Sequence, residues 1–375
     1  MKFILIIFGT RPEAIKMAPV IKALQKNPEF IVKVCVTAQH RQMLDQVISL
    51  FEITPDYDLD IMRPSQDLTD ITVQIILGVR DIVSILKPDL ILVHGDTTTA
   101  FAAGMAAFYA GIPIGHIEAG LRTDNPQSPW PEEMNRRLLS VMAELHFAPT
   151  EQAQNNLIRE NIPSEKIHVC GNTLIDSLKE IQERLQSSTS LQKEFSNKFS
   201  FIGSDKRIIL VTCHRRENFG EGITNICTAL KSISTRNDVE IIYPVHLNPN
   251  IQEPVKRLLS NHLNIHLISP QDYLPFVYLM NRSYVLLTDS GGIQEEASSL
   301  GKPVLLMRDN TERPEAIESG TVKLVGTSSE TIIYNCNLLL DNPDTYYSMS
   351  KSHDAYGNGK SAECIARKIK QYFMR

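Results

Sequence analysis

What is scarce in these 375 residues narrows the field first. There is one tryptophan, no Cys-x-x-Cys pair, no Gly-x-Gly-x-x-Gly fingerprint and no Walker lysine. The usual signatures of a dinucleotide turn and of a P-loop are therefore missing. Lysine and arginine do not cluster, and the net charge is −5. A bulk nucleic-acid partner is excluded, because neutralising its backbone needs a basic face. The six cysteines, Cys35, Cys170, Cys213, Cys227, Cys336 and Cys364, are scattered, most of them in apolar runs. They read as buried free thiols in a reducing cytoplasm. The apolar opening 3-FILIIF-8 stops at Gly9. It is too short for a signal peptide or a membrane span and reads as a buried first strand.

The composition that remains is that of a globular protein, 42% hydrophobic and 22% charged, and its length suits two domains. Short apolar runs alternate with helical patterns. Strands are expected at 3–8, 31–36, 89–93, 112–117, 208–212, 239–245, 284–288 and 303–307. A helix is expected over 12–25, with Pro12 in its first turn. The strands are continuously apolar rather than alternating, so both faces are buried, as in a parallel sheet covered by helices. The Ser- and Lys-rich stretch 186–207 breaks this rhythm. The expected fold is α/β, with two Rossmann-like doubly wound domains. The first spans 1–170, with the C-terminal helix 357–375 packing back on it, and the second spans 171–356. A cleft between them is expected to hold the active site.

In open parallel sheets ligands bind beyond the carboxyl ends of the strands. Arg11 and Lys16 follow the first strand; His94 and Asp96 follow 89–93; Glu118 follows 112–117. In the second half, His214, Arg215 and Arg216 follow 208–212, and His246 follows 239–245. The sequence 288-TDSGGIQEEA-297 closes another strand with a small-residue turn and opens a helix. Ser290, Gly291 and Gly292 place N–H groups at that helix start, where an anion such as a phosphate is favoured. Glu295 or Glu296, one turn in, is suited to ribose hydroxyls. The first half thus collects carboxylates and the second collects phosphate-type groups, with Arg11 the exception. Plainer readings stand beside these. Asp96 before three threonines fits a helix N-cap, Glu118 a turn residue, and His214 a solvated turn. The pairs His94-x-Asp96 and His116-x-Glu118 could share a strand face as metal ligands, but no third cluster accompanies them.

Nine segments carry a resemblance: 8-FGTRPEAIKMAP-19, 37-TAQHRQMLDQV-47, 94-HGDTTTA-100, 116-HIEAGLRT-123, 129-PWPEEMNR-136, 171-GNTLIDSL-178, 214-HRRENFGEG-222, 244-PVHLNPN-250 and 288-TDSGGIQEEA-297, the last followed by 312-ERPEA-316. Together they resemble the non-hydrolysing UDP-N-acetylglucosamine 2-epimerases of bacteria, from the first strand to 356-YGNGKS-361. The resemblance implies the GT-B arrangement of two Rossmann-like domains, a cytoplasmic homodimer, and no cofactor or metal. It implies interconversion of UDP-N-acetylglucosamine and UDP-N-acetylmannosamine through elimination of UDP to 2-acetamidoglucal and re-addition, in support of surface polysaccharide synthesis such as capsule.

Carried over position by position, the implied acid/base residues are Asp96, Glu118, Glu132 and His214. Glu118 and Glu132 would face the two sides of C2, with Asp96 orienting or relaying. Implied substrate contacts are Arg11, Lys16, Gln271, Phe276, Ser290, Gly291, Gly292, Glu296 and Arg313, with Gln271 and Phe276 near the uracil and Glu296 on the ribose. Gln39, Gln42, Arg215 and His246 match positions of a second, activating UDP-N-acetylglucosamine in some members. An arginine expected near 61-IMRPSQ-66 is replaced by Ser65, although Arg63 is close. Cys213, Ser298 and Asn310 also depart from the usual residues.

Overall fold

The structure is a computed structural model that describes residues 1–38, 41–63, 65–203, 205–311, 313–351 and 356–374, the side chains of Gln42 and Pro314 apart. The chain forms two compact units. One comprises Met1–Ser177 with Tyr356–Arg375, and the other Leu178–Ala355.

The first unit runs β1 (Lys2–Phe8), α1 (Arg11–Gln25), β2 (Phe30–Val36), α2 (Arg41–Leu50), β3 (Tyr57–Asp58), α3 (Leu68–Leu86), β4 (Leu90–His94), α4 (Thr98–Tyr109), β5 (Ile114–Ile117), α5 (Glu132–Met142), β6 (Leu145–Ala148), α6 (Glu151–Arg159) and β7 (Ile167–Val169). Helix α7 (Thr173–Ser187) then carries the chain into the second unit. All seven strands are parallel, in the order β3-β2-β1-β4-β5-β6-β7. The five residues Ile4 to Phe8 are fully buried, as a strand covered on both faces must be. Helix α1 starts sharply because Thr10 and Glu13 form a reciprocal capping box ahead of Pro12. Helix α3 buries Ile71, Ile75, Val79, Ile82 and Val83, a stripe at helical spacing. Helix α4 is alanine-rich where it faces the sheet, and Gly104 makes room for Leu139 of α5.

In the second unit the order is α8 (Thr189–Lys198), β8 (Arg207–Thr212), α9 (Glu221–Ile233), β9 (Val239–Pro244), α10 (Pro249–Leu259), β10 (Ile265–Ile268), α11 (Tyr273–Arg282), β11 (Val285–Thr288), α12 (Gly291–Ser299), β12 (Val304–Leu306), α13 (Pro314–Glu318), β13 (Val322–Leu324), α14 (Ser329–Asp341) and α15 (Pro343–Met349). Its six parallel strands lie β10-β9-β8-β11-β12-β13. The chain then returns to the first unit, where α16 (Ser361–Phe373) packs on α1. Both units are thus doubly wound Rossmann-like folds. Among the described residues, no helix is long and apolar enough to cross a membrane.

Five strands were not expected from the sequence: β3, β6, β7, β10 and β13. Each has four residues or fewer. Four of them carry His146, His168, His266 or a lysine, which breaks the apolar signal, and β3 is only the pair Tyr57–Asp58. The Ser- and Lys-rich stretch 186–207 contains a helix, α8, capped by Ser188. The cysteine reading needs one correction. Cys35, Cys213, Cys227 and Cys336 are buried free thiols. Cys170 and Cys364 instead form a disulfide, with their Cα atoms 5.5 Å apart. They lie 194 positions apart, so only the return of α16 brings them together.

Candidate active site

Each sheet reverses its winding beside its first strand, and ligands of doubly wound folds bind at that switch point. In the first unit the crevice lies between β1 and β4, and in the second between β8 and β11. The chemistry-bearing residues of each unit gather at these strand ends.

In the first unit Lys16, one turn into α1, forms a buried ion pair with Glu118 Oε1. Asn172 Nδ2 donates to the same oxygen at 3.4 Å. His94 Nε2 lies 3.9 Å from Glu118 Oε2. Glu118 sits at φ 62°, in the left-handed region that strains a side-chain-bearing residue. A strained, buried, charged turn residue is costly, and such costs persist where function needs them. Gly95 (φ 65°) lies alongside, and a Cβ there would stand 3.2 Å from Glu118 Oε2.

Asp96 does not cap α4; Thr97 does, accepting from Ala100 N. The Asp96 carboxylate takes Arg136 Nη1 at 2.5 Å instead. Burial raises its pKa, Arg136 opposes this, and the negative charges of Glu118 and Glu132 raise it further. Asp96 therefore feels the charge of both other carboxylates. Glu132 opens α5, and its Oε2 is buried with no hydrogen-bond partner among the described residues. Arg136 also binds Glu133 Oε2 at 2.9 Å, so one buried guanidinium ties Asp96 to α5. Arg11 is the first residue of α1, partly exposed.

Two buried histidines of this unit favour the neutral form. Burial holds His94 and His116 down to about 4, and His116 Nε2 contacts Gly95 O at 2.7 Å. No group of three or more His, Cys, Asp or Glu among the described residues is placed to hold a metal ion.

In the second unit the organising group is Asp289, which is fully buried. Its Oδ2 accepts from His214 N and Arg215 N at 2.8 Å and from Asn218 Nδ2 at 3.0 Å. Its Oδ1 meets His214 Nδ1 at 3.0 Å. Burial alone would raise this carboxyl, but the His214 contact and the two backbone N–H groups bring it to about 2. The loop after β8 is thereby locked to the end of β11, and Ser290 N is bonded to Thr288 Oγ1 at 2.9 Å. Helix α12 begins there without a side-chain cap, leaving its first N–H groups to an anion. Arg313 packs over Gly291, where a Cβ would come within 2.5 Å of its Nη1, and Arg313 Nε binds Glu295 Oε1 at 2.5 Å. Glu296 Oε1 accepts from Tyr273 Oη at 2.6 Å. The two glutamates are thus separated by partner. Gln271 Nε2 bonds Ser269 O, and Phe276 is half-buried on α11. His246 is exposed, its ring centroid 6.1 Å from that of His214. Gln39 lies outside the described residues, as does the side chain of Gln42.

Four residues were not singled out from the sequence as site residues: Glu13, Arg136, Asn172 and Asp289. The signal for Glu13 was present, since 10-TRPE-13 has capping-box spacing. Its carboxylate accepts Gly9 N, Thr10 N and Thr97 Oγ1, joining the turns after β1 and β4. Asp289, at a buried strand end before the small-residue turn, was equally visible.

The chain as a whole is similar to known proteins. A family model described as UDP-N-acetylglucosamine 2-epimerase matches residues 22–370. A Salmonella typhimurium UDP-N-acetylglucosamine 2-epimerase is 57% identical over 370 residues, covering 98% of each chain. A Neisseria meningitidis enzyme of that name, solved bound to UDP-GlcNAc, superposes with a TM-score of 0.95 at 54% identity, covering 98% of this chain and 100% of the other. A Methanocaldococcus jannaschii counterpart, in complex with UDP-GlcNAc and UDP, gives a TM-score of 0.85 at 33% identity, with 99% and 100% covered.

Proposed function

The chain belongs to the UDP-N-acetylglucosamine 2-epimerase family and is an isomerase, and from that premise we propose that it interconverts UDP-N-acetylglucosamine and UDP-N-acetylmannosamine by eliminating and re-adding UDP. The C2 proton of a pyranose is not acidic enough for simple abstraction. Removing it while the anomeric C–O bond breaks lets UDP leave with the electron pair, giving 2-acetamidoglucal. Re-addition of UDP to C1, with a proton returned to the opposite face of C2, completes the inversion. Two faces need two acid/base groups.

The observation that carries this reading is the buried Glu118, held by Lys16, beside an Asp96 that feels the charge of both Glu118 and Glu132. Glu118 and Glu132 serve the two faces of C2, and Asp96, fixed by Arg136, relays or orients. Lys16 and Arg11 supply positive charge near the leaving group. His214, Arg313 and the uncapped start of α12 receive the diphosphate as it gains charge. Glu296 takes the ribose, and Gln271 with Phe276 the uracil.

We place the activity in the cytoplasm, where nucleotide sugars are made, and in the supply of an activated sugar for surface polysaccharide. We further propose a homodimer through the outer surfaces of α3, α4 and α5. Val73, Leu77, Phe108, Leu138 and Val141 are exposed there on neighbouring helices, an apolar surface of the kind that partners cover. Leu138→Glu should shift the sedimenting species to monomer.

Substrate carrying 18O in the C1–O–P bridge tests the chemistry. Elimination lets the label exchange into the non-bridging β-phosphate oxygens, with UDP-N-acetylmannosamine as the product. Retention of the bridge label during turnover contradicts the mechanism. Accumulation of free N-acetylmannosamine points to a hydrolase.

A further inference from the structure

Where the chain leaves the first unit and where it returns, two segments are fastened together. Asn172 N donates to Tyr356 O at 2.7 Å, and Ala362 N to Asp176 Oδ1 at 2.8 Å. Gly171 (φ 89°) packs so closely that a Cβ would meet Gly357 Cα at 3.2 Å. The Cys170–Cys364 disulfide closes the same junction covalently. Asn172, two residues from Cys170, is 3% exposed. Its Oδ1 accepts from Leu174 N at 2.9 Å, which fixes the amide so that Nδ2 faces Glu118 Oε1.

We propose that Asn172 is a positioning residue for Glu118, and that the Cys170–Cys364 disulfide makes this positioning sensitive to redox state. The inference rests on the reading of Glu118 as an acid/base at C2. Two donors, Lys16 and Asn172, hold Oε1 as an acceptor, which directs proton exchange to Oε2. The amide donor is fixed only while the junction 170–172 is fixed. In a cytoplasmic enzyme such a disulfide belongs to the class that forms and opens with redox conditions. Both cysteines are half-buried rather than enclosed in the core, as exchange with a thiol reagent requires. A dithiol's thiolate attacks one sulfur and releases the other cysteine as a thiolate that takes a proton. The reagent's second thiolate then displaces the remaining cysteine. Two electrons pass from the dithiol to the cysteines, and the reagent leaves as its own disulfide.

The test compares oxidised and dithiothreitol-reduced enzyme with variants whose fold is checked by circular dichroism. Asn172→Ala should lower kcat by about 10- to 100-fold with KM within about twofold, since misplacement acts on the reacting geometry. Asn172→Asp keeps the acceptor for Leu174 N but sets a like charge beside Glu118. It should move the acid limb of the kcat–pH profile up by about one unit, which a purely structural role would not do. Reduction should lower kcat of the wild type, the double variant Cys170→Ser/Cys364→Ser should match the reduced enzyme, and Asn172→Ala should be indifferent to reductant. A wild-type kcat and pH profile in Asn172→Asp overturns the positioning role. An equal loss on reduction in the Asn172→Ala background, or none in the wild type, overturns the redox coupling. A Glu118→Gln variant with full turnover overturns instead the reading of Glu118 on which both stand.

Discussion

Replacing Asp289 by asparagine should separate a built anion site from a merely capped helix. The carboxylate is completely buried, and its pKa is brought from 3.8 to about 2 by His214 and two backbone N–H groups. That shift corresponds to about 2 kcal/mol of folded-state preference for the charged form. The sign follows from the direction. A depressed carboxyl contributes stability above its unfolded value of 3.8 and loses it as pH falls toward about 2. Asparagine can keep three donors on its oxygen, but it presents an N–H group to His214 Nδ1. Hydrogen bonds to a charged acceptor are worth about 1.5–3 kcal/mol each, and part of that is lost as well. Urea unfolding followed by circular dichroism at pH 7 should therefore show Asp289→Asn about 2–4 kcal/mol less stable, with the gap narrowing below pH 4. The variant should also raise KM for UDP-N-acetylglucosamine, because His214 loses its anchor. A gap under about 0.5 kcal/mol, within the range of ordinary surface substitutions, together with an unchanged KM would refute the reasoning.

Three further perturbations follow from the same geometry. Arg136→Met takes from the buried Glu133 its closest cation, leaving it Arg137 Nε at 3.2 Å and Thr123 N at 3.1 Å, and releases Asp96. It should cost about 3–5 kcal/mol and shift the limb of the activity profile governed by Asp96 to higher pH, read by urea midpoints and by kcat against pH. Gly291→Ala drives a methyl into the Arg313 guanidinium, so KM should rise while the unfolding midpoint stays close to wild type; an unchanged KM would contradict the placing of UDP at α12. The first unit should also lose stability in mild acid. His94 and His116 are held to about 4 and His146 to about 3 by burial. Unfolded histidines take up protons below about 6.5 and these three do not, so each costs about 2 kcal/mol at pH 5. Buried Glu13, raised to about 7, works in the opposite direction. The net loss from pH 7 to pH 5 should be about 4 kcal/mol, and unchanged urea midpoints would exclude it.

Much of the fold was legible because burial on both faces writes itself into sequence. The strands that centre each sheet, β1, β4, β8 and β11, are unbroken apolar runs, and the residues following them proved to stand at the switch points. Outer strands such as β6 and β7 escaped notice because His146 and His168 interrupt runs already only a few residues long. Glu118 was visible as a carboxylate in an apolar segment, but its backbone conformation and its hold on Lys16 were not. The ion pair joins residues 102 positions apart, and the left-handed backbone belongs to the turn after β5. Asp96 shows the converse. Its local sequence suits an N-cap, and a tertiary partner 40 positions away, Arg136, claims it instead. The disulfide had no sequence signal at all, since its geometry is set by where the chain re-enters the first unit.

The most direct measurement is turnover of UDP-N-acetylglucosamine in deuterium oxide with no acceptor present. If C2 is deprotonated and reprotonated during epimerisation, deuterium appears at C2 of UDP-N-acetylmannosamine and, as the reaction reverses, of UDP-N-acetylglucosamine. Epimerisation with C2 still carrying only protium would contradict proton transfer by Glu118 and Glu132, and with it the assignment of the site.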